Sequence, residues 1–287
     1  MKRKKIRYRT VIISDVHLGH SDCKISQVNH FLRNVHCDKL IMNGDIIDGW
    51  HLQKWGQWSV EHTRFFRLVL KKAEKHGTEV IYLRGNHDDF LWKILPLKFD
   101  RILLANEYIH ETPHGKYVCV HGDAFDAVTT NFRWLALLGS FGYSVLLMIN
   151  RIYNWTRKIR GKEYFSISRA IKAKVKNAVN AVGRYEQALS EFAADRGCVG
   201  IICGHIHTPA DKMIHGMHYL NSGDWVESLT AIGETFDGRF ELIEYKDFQD
   251  RLLAMNGITG AKELASSDEE EPDQVEDEEL LMAGAGV

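Results

Sequence analysis

This chain of 287 residues has little that would staple, anchor or polarise it. Its five cysteines (Cys23, Cys37, Cys119, Cys198 and Cys203) are odd in number, widely spaced and form no Cys-x-x-Cys pair. That excludes a disulfide framework and a closed thiolate zinc site; Cys119 and Cys203 lie in apolar runs, where cysteine behaves as a small hydrophobe. A net charge of −1 excludes a polyanion binder that works through the charge of the whole molecule. The balance hides two extremes: a basic start (Lys2, Arg3, Lys4, Lys5, Arg7, Arg9) and a strongly acidic stretch from Asp268 to Glu279. No internal repeat is visible, and no apolar signal region separates the basic start from the first strand-like run, so the expected location is cytoplasmic. With 45% hydrophobic and 26% charged residues, the composition is that of a globular chain able to bury a large core.

What is present is an alternation. Short apolar runs at Val11–Ile13, Leu40–Met42, Val80–Leu83 and Val118–Val120 predict buried strands. Between them Ser26–Asn34 and Glu61–His76 carry helical spacing, with Gly77 as a helix stop. Strands alternating with helices predict an α/β layer structure. Residues 124–196 interrupt the rhythm without a strand signal and predict a helical insertion between core segments 1–123 and 197–250. Val199–Cys203 returns to the core, and Tyr219–Leu220, Thr230–Ile232 and Arg239–Tyr245 are expected as antiparallel strands closing a second sheet. Residues 251–287 form an acidic tail that cannot bury enough apolar surface to fold alone.

Each strand-like run ends in a polar motif. In order these are Asp15-Val16-His17, Gly44-Asp45-Ile46-Ile47-Asp48, Gly85-Asn86-His87-Asp88, His121-Gly122-Asp123 and Gly204-His205-Ile206-His207. Ligands collect at the carboxyl ends of strands in open α/β sheets, so motifs far apart in sequence can converge there. Asp15, His17, Asp45, Asn86, His121, His205 and His207 supply carboxylate, amide and imidazole ligands, enough for two divalent ions sharing one bridging carboxylate. Asp45 is the natural bridge, because one carboxylate can give an oxygen to each ion. Two such ions, roughly 3.5–4 Å apart, offset the repulsion between an anionic phosphoester and an anionic nucleophile. The oxygen and nitrogen set without thiolate favours manganese, with magnesium, iron and zinc as alternatives. Asp88 and Asp123 read as hydrogen-bonding or turn residues beside the ligands. The other histidines, among them His20, His62, His110 and His218, read as surface or loop residues.

The order and spelling of these motifs resemble the calcineurin-like metallophosphoesterase superfamily, from about Val11 to about Tyr245. The resemblance implies a four-layer αββα sandwich with the helical insertion added, and a dinuclear hydrolase. It places Asp15, His17 and His207 with Asp45 around one ion, and Asn86, His121 and His205 with Asp45 around the other. It also implies that His87 faces the phosphate rather than a metal, oriented by Asp48; otherwise Asp48 caps a turn. Asn86 doubles as a substrate contact in this reading.

The superfamily acts on many phosphoesters, and the insertion is what bears on the choice. Trp134–Asn150 has no charged residue and is flanked by Arg133 and Arg151. Its length is at the lower edge for a bilayer span, and Gly139, Ser140, Gly142 and Ser144 soften it, so a lid over an acyl-chain cleft or an interfacial helix fits better. A basic stretch follows that includes Arg169, Lys172 and Lys174. Such a cluster suits anionic headgroups or a pyrophosphate. With these features the chain resembles the UDP-2,3-diacylglucosamine diphosphatase branch, in a subgroup that carries histidine at position 87. That implies cleavage of a nucleotide-linked glycolipid to UMP and 2,3-diacylglucosamine 1-phosphate for lipid A precursor synthesis. Peripheral association with an anionic membrane at its cytoplasmic face, and no nucleic acid partner, belong to the same reading. Two alternatives stay open: a soluble phosphodiesterase or nuclease, and a non-enzymatic scaffold of the same fold, which a complete ligand set disfavours.

Overall fold

The computed structural model describes residues 4–125, 153, 159–161 and 183–257. Trp134–Asn150, Arg169, Lys172, Lys174 and the acidic stretch from Asp268 lie outside these residues. In chain order the strands are β1 (Ile6–Ile13), β2 (Val35–Asn43), β3 (Glu79–Leu83), β4 (Leu97–Phe99), β5 (Ile102–Ala105) and β6 (Glu107–Thr112). They continue with β7 (Gly115–Val120), β8 (Gly200–Cys203), β9 (Ala210–Ile214), β10 (Met217–Asn221), β11 (Thr230–Glu234) and β12 (Phe240–Glu244). The helices are α1 (Ile25–Asn34), α2 (Gly49–Trp55), α3 (Val60–His76), α4 (183–195) and α5 (Tyr245–Asn256).

One sheet has seven strands in the order β12-β11-β1-β2-β3-β5-β4, and the other has five in the order β6-β7-β8-β10-β9. The inner strands read as unbroken apolar runs because both of their faces are buried. On β1, β2 and β3, Val11, Ile13, Leu40, Met42, Val80 and Tyr82 pack under α1, α3 and α5. The alternate residues Ile12, Ile41 and Ile81, aligned by the parallel register, face Cys119, Ile202 and Leu220 of the smaller sheet. On that sheet's outer face Val118, Ile201, Cys203 and Tyr219 meet Tyr185, Leu189 and Ala193 of α4. The four layers are thus helix, sheet, sheet, helix. Each fully buried Ile or Leu here contributes roughly 1.5–3 kcal/mol. Helix α4, read from sequence as part of the insertion, packs as the outer layer of the smaller sheet.

Gly77 ends α3 in the left-handed conformation at φ 69°, as its position suggested. The closing strands differ from expectation. β10 runs parallel to β8, and β11 and β12 join the larger sheet, with β11 antiparallel to β1. The spacing reveals strands but not which sheet edge is open to receive them; β1 had one. Two histidines expected at the surface are buried. His62 completes a capping box with Ser59 at the start of α3. His110 of β6 pairs through Nε2 with Glu234 Oε2 of β11 at 2.8 Å and so ties one sheet to the other. Among the described residues no helix is long and apolar enough to cross a membrane.

Candidate metal centre

The five motifs meet at one edge of the sandwich because each follows the carboxyl end of β1, β2, β3, β7 or β8. The turns that carry them are strained. Asp15 (φ 51°), His17 (53°), Asp45 (52°), His205 (66°) and His207 (52°) all adopt the left-handed backbone. Such residues cost on the order of 1–3 kcal/mol each, and Asp and His tolerate the region better than most. Backbone bonds between the turns hold them: Asp15 N–H donates to Gly44 O at 3.0 Å, His17 N–H to Asp45 O at 2.9 Å, and Leu18 N–H to Ile46 O at 2.8 Å. Gly44 (φ 84°) is required twice over, since a Cβ there would run into the His121 imidazole.

Each of the two central carboxylates is anchored by one oxygen and presents the other. Asp45 Oδ1 accepts from His87 N–H at 2.8 Å. Its Oδ2 lies 3.2 Å from His121 Nε2 and 4.0 Å from both His17 Nε2 and His87 Nε2. Asp15 Oδ2 accepts from His205 N–H at 3.0 Å, while Oδ1 lies 3.2 Å from His207 Nε2 and 4.0 Å from His17 Nε2. Asp15, His17 and His207 converge as one possible cation group; Asp45, His121 and His205 form another. The orphaned atoms agree with this donor set. Asp15 Oδ1, Asn86 Oδ1 and His121 Nε2 are buried without a hydrogen-bond partner. Because the His121 Nδ1–H donates to Asn43 O at 3.0 Å, Nε2 is the nitrogen whose lone pair a cation would take. Unsatisfied buried acceptors cost about 1–3 kcal/mol each, and cations would satisfy all three.

The electrostatics are those of a cation trap. Burial pushes the Asp15 carboxyl upward, but His207, His121 and His17 outweigh it and hold the group well below the ordinary carboxylate range. Burial pushes His121 down; the charge of Asp45 and then of Asp15 reverses this, to about 10. The field that keeps a proton on His121 would hold a divalent cation in its place.

Asp48 has both functions that the sequence left as alternatives. Its Oδ1 accepts from His51 N–H at 2.8 Å, capping α2, and lies 3.0 Å from His87 Nδ1. Its Oδ2 is 3.6 Å from His17 Nδ1, so one carboxylate faces two imidazoles. His87 also sits under the Trp50 ring, with centroids 4.3 Å apart. Burial lowers the His87 pKa, and the Asp48 hydrogen bond followed by the Asp45 charge more than restores it, leaving it raised. Asp48, His17 and His87 also lie close enough to form a third possible cation group.

Asp88 is buried and accepts from Ile46 N–H at 3.0 Å, Ile47 N–H at 2.8 Å and Tyr82 O–H at 3.0 Å, which pins the loop after Asp45. Asp123 pairs with Arg84 at 3.4 Å. Neither displaces the candidate ligands. One residue had no role in the sequence reading. Asp224, fully buried between β10 and β11, accepts from Val226 N–H and Ser228 Oγ and places Oδ2 3.8 Å from His207 Nδ1. Nothing local in the segment Asn221–Ser228 ties it to a histidine.

Over residues 8–209 the chain matches the calcineurin-like phosphoesterase family, and it belongs to that family. Among curated proteins none matches it. Solved structures similar to it include a novel archaeal phosphodiesterase, at 14% identity, covering 82% of this chain and 98% of that one with a TM-score of 0.35. Vacuolar Protein Sorting 29 from Cryptosporidium parvum is similar at 9% identity, covering 82% and 97%, with a TM-score of 0.38. A conserved protein of Streptococcus pneumoniae is similar at 12% identity, covering 83% and 89%, with a TM-score of 0.35.

Proposed function

We propose that this phosphoesterase cleaves its substrate with two divalent cations, manganese being the preferred ion, held by Asp15, His17, Asp45, Asn86, His121, His205 and His207. The observation that carries this reading is the placement of Asp45 Oδ2, which faces His121 on one side and His17 on the other. Bound there, the cations supply Lewis-acid neutralisation of phosphoryl charge and a nucleophile at neutral pH. The rest falls to the chain's own groups. His87, held through Nδ1 by Asp48, keeps Nε2 on the open side of Asp45, where it can pass a proton to the leaving oxygen. Trp50 covers one face of that imidazole and restricts its rotation. Asp48 and Asp224 orient His87 or His17 and His207 from behind.

For the substrate we propose UDP-2,3-diacylglucosamine, split to UMP and 2,3-diacylglucosamine 1-phosphate at the cytoplasmic face of a membrane. Support comes from an apolar flank beside His87. Trp50 and Trp55 of α2 and Phe90, Trp92 and Ile94 of the 3-10 turn after β3 (Asp89–Ile94) are all exposed. A Cβ on Gly49 would touch the Phe90 ring, so the two segments are neighbours. Exposed aromatic surface of this extent marks a binding face, and acyl chains are a suitable occupant. Arg169, Lys172 and Lys174 are proposed to meet the anionic part of the substrate or the membrane surface. Hydrolysis of UDP-diacylglucosamine compared with bis-p-nitrophenyl phosphate and single-stranded DNA tests this directly. The expected result is a kcat/KM preference of at least about a hundredfold, or ~2.7 kcal/mol, for the glycolipid. Replacing Arg169, Lys172 and Lys174 by Ala should raise KM for it alone. Preference for DNA would transfer the assignment to a nuclease; turnover of neither class with metal bound would favour a scaffold.

A further inference from the structure

Arg84 stands at the edge where the motifs converge, with no task so far beyond its ion pair with Asp123. The chain leaves β3 at Leu83, and Arg84 N–H donates to Ala105 O of β5 at 3.0 Å, which fixes the backbone two residues before Asn86. The next residue packs on the candidate bridging carboxylate, since a Cβ on Gly85 would run into Asp45 Oδ1. The Arg84 guanidinium turns back along this loop. Its Nη1–H donates to Gly85 O and its Nη2–H to Asp123 Oδ2, each at 3.4 Å. Asp123 follows His121 by two residues, so the guanidinium bridges the loops that carry two of the candidate ligands, Asn86 and His121.

These contacts leave the cation underused. A guanidinium carries five N–H donors in a planar fork, and its bonds to carboxylates normally close to about 2.7–2.9 Å. Arg196 does this with Glu107 elsewhere in the molecule, through a fork at 2.8 and 3.2 Å. Arg84 has only two contacts at the outer limit of a hydrogen bond, and its Nε–H is buried with no acceptor among the described residues. An orphaned donor costs about 1–3 kcal/mol, and a purely structural clip would close more tightly than this one does. The side chain is still 24% exposed, so the fork is open to a ligand. None of the seven candidate ligands, His87 or Asp48 is a permanent cation; Arg84, two residues from Asn86, is one.

We propose that Arg84 is a specificity-determining residue of this site, whose guanidinium receives the second, non-reacting phosphoryl group of a diphosphate diester. This rests on the reading of a diphosphate substrate held by two cations. Those cations neutralise the phosphoryl group under attack, and the neighbouring one needs a separate partner for its charge. A planar guanidinium matches its paired oxygens. Asp123 opposes any anion at this position, and that makes the subsite selective. A free anion gains little there, whereas a phosphoryl group tethered to one already on the cations arrives at high effective concentration. The long Asp123 contact is what the guanidinium gives up when it turns to such a substrate.

Titration calorimetry of the manganese-loaded full chain with two non-hydrolysable anions tests this. One is dimethyl methylenediphosphonate, esterified once on each phosphorus, and the other is methyl methylphosphonate, with a single phosphorus. Arg84→Met should weaken binding of the diphosphonate at least about tenfold and of the monophosphonate less than about twofold, with the bound ions unchanged. Arg84→Lys, which keeps the charge and loses the fork, should recover part of that loss. Asp123→Asn should act in the opposite direction and tighten diphosphonate binding about threefold or more, because it removes the competing carboxylate. Equal losses on both anions from Arg84→Met, no loss on either, or loss of bound ions would overturn the proposal and leave Arg84 as a clip between two loops. So would an Asp123→Asn variant that binds the diphosphonate more weakly. The substrate reading fails separately: a native chain that leaves UDP-diacylglucosamine intact while the Arg84 difference persists refutes the glycolipid and not the subsite.

Discussion

The two ends of the larger sheet bury charge in opposite ways. At the carboxyl end, Asp15 and Asp45 are surrounded by His17, His121 and His207, so each buried carboxylate has imidazole nitrogens within about 4 Å. The partners still leave lone pairs unsatisfied and five residues in left-handed backbone, which is the profile of a site completed by cations. At the amino end, Lys72 is buried and donates to Val35 O at 2.6 Å, where Lys5, Arg7, His36 and His76 line a cavity of about 280 Å³. The difference teaches where the fold spends stability on function. One end carries negative charge arranged for small cations, and the other gathers basic side chains around one cavity.

The sharpest way to break this contrast is at the carboxyl end. Asp45→Ala should bring hydrolysis to background and lose at least one equivalent of bound ion, measured by elemental analysis beside turnover. Two ions per chain with turnover within about tenfold of the parent would refute the bridge. His87→Asn comes next, with both ions retained and turnover slower by about 10²–10⁴. Ion loss on that change would instead make His87 a ligand, the third grouping that the geometry permits.

Smaller effects separate the positioning carboxylates from the ligands. Asp48→Asn and Asp224→Asn should each cost about 10–100-fold in metal affinity or activity. The Asp48 change should act mainly on turnover, because its shortest side-chain contact is with His87, and the Asp224 change on ion affinity, through His207. Equal effects on both quantities from both variants would erase the distinction.

The smallest effect belongs to the amino end and is one of stability. Burial pushes the Lys72 ammonium down to about 8 from an ordinary value near 10.5. Between these values the unfolded chain binds more protons than the folded one, so stability rises with pH across that window. The penalty is present in full below about pH 8 and gone above about 10.5. Lys72→Met should therefore stabilise the protein by roughly 1–3 kcal/mol at pH 7, allowing for the lost bond to Val35 O, and by little or nothing near pH 10.5. Urea unfolding at the two pH values measures it; equal gains at both would mean that packing, not charge, is responsible.

The residues that converge at the candidate metal centre were legible in the sequence because their chemistry is local. Each motif follows an apolar strand, and oxygen and imidazole ligands at strand ends announce themselves. Asp48 was legible too, as either a cap or a partner of His87, but not as both at once. Asp224 was not legible, since the two strands β9 and β10 separate it from His207. The residues that line the basic cavity come from β1, β2 and α3, and only their register brings Arg7 to His36 and His76.

By itself the sequence determined the strand-and-helix alternation, the family motifs and the donor set, because periodicity and ligand type are properties of short segments. Tertiary structure decided which sheet β11 and β12 joined, which oxygen of Asp15 and Asp45 is presented, and that His110 ties two sheets together instead of facing water. These depend on which edge is open and which backbone N–H is near, and such contacts form only when distant segments are packed side by side.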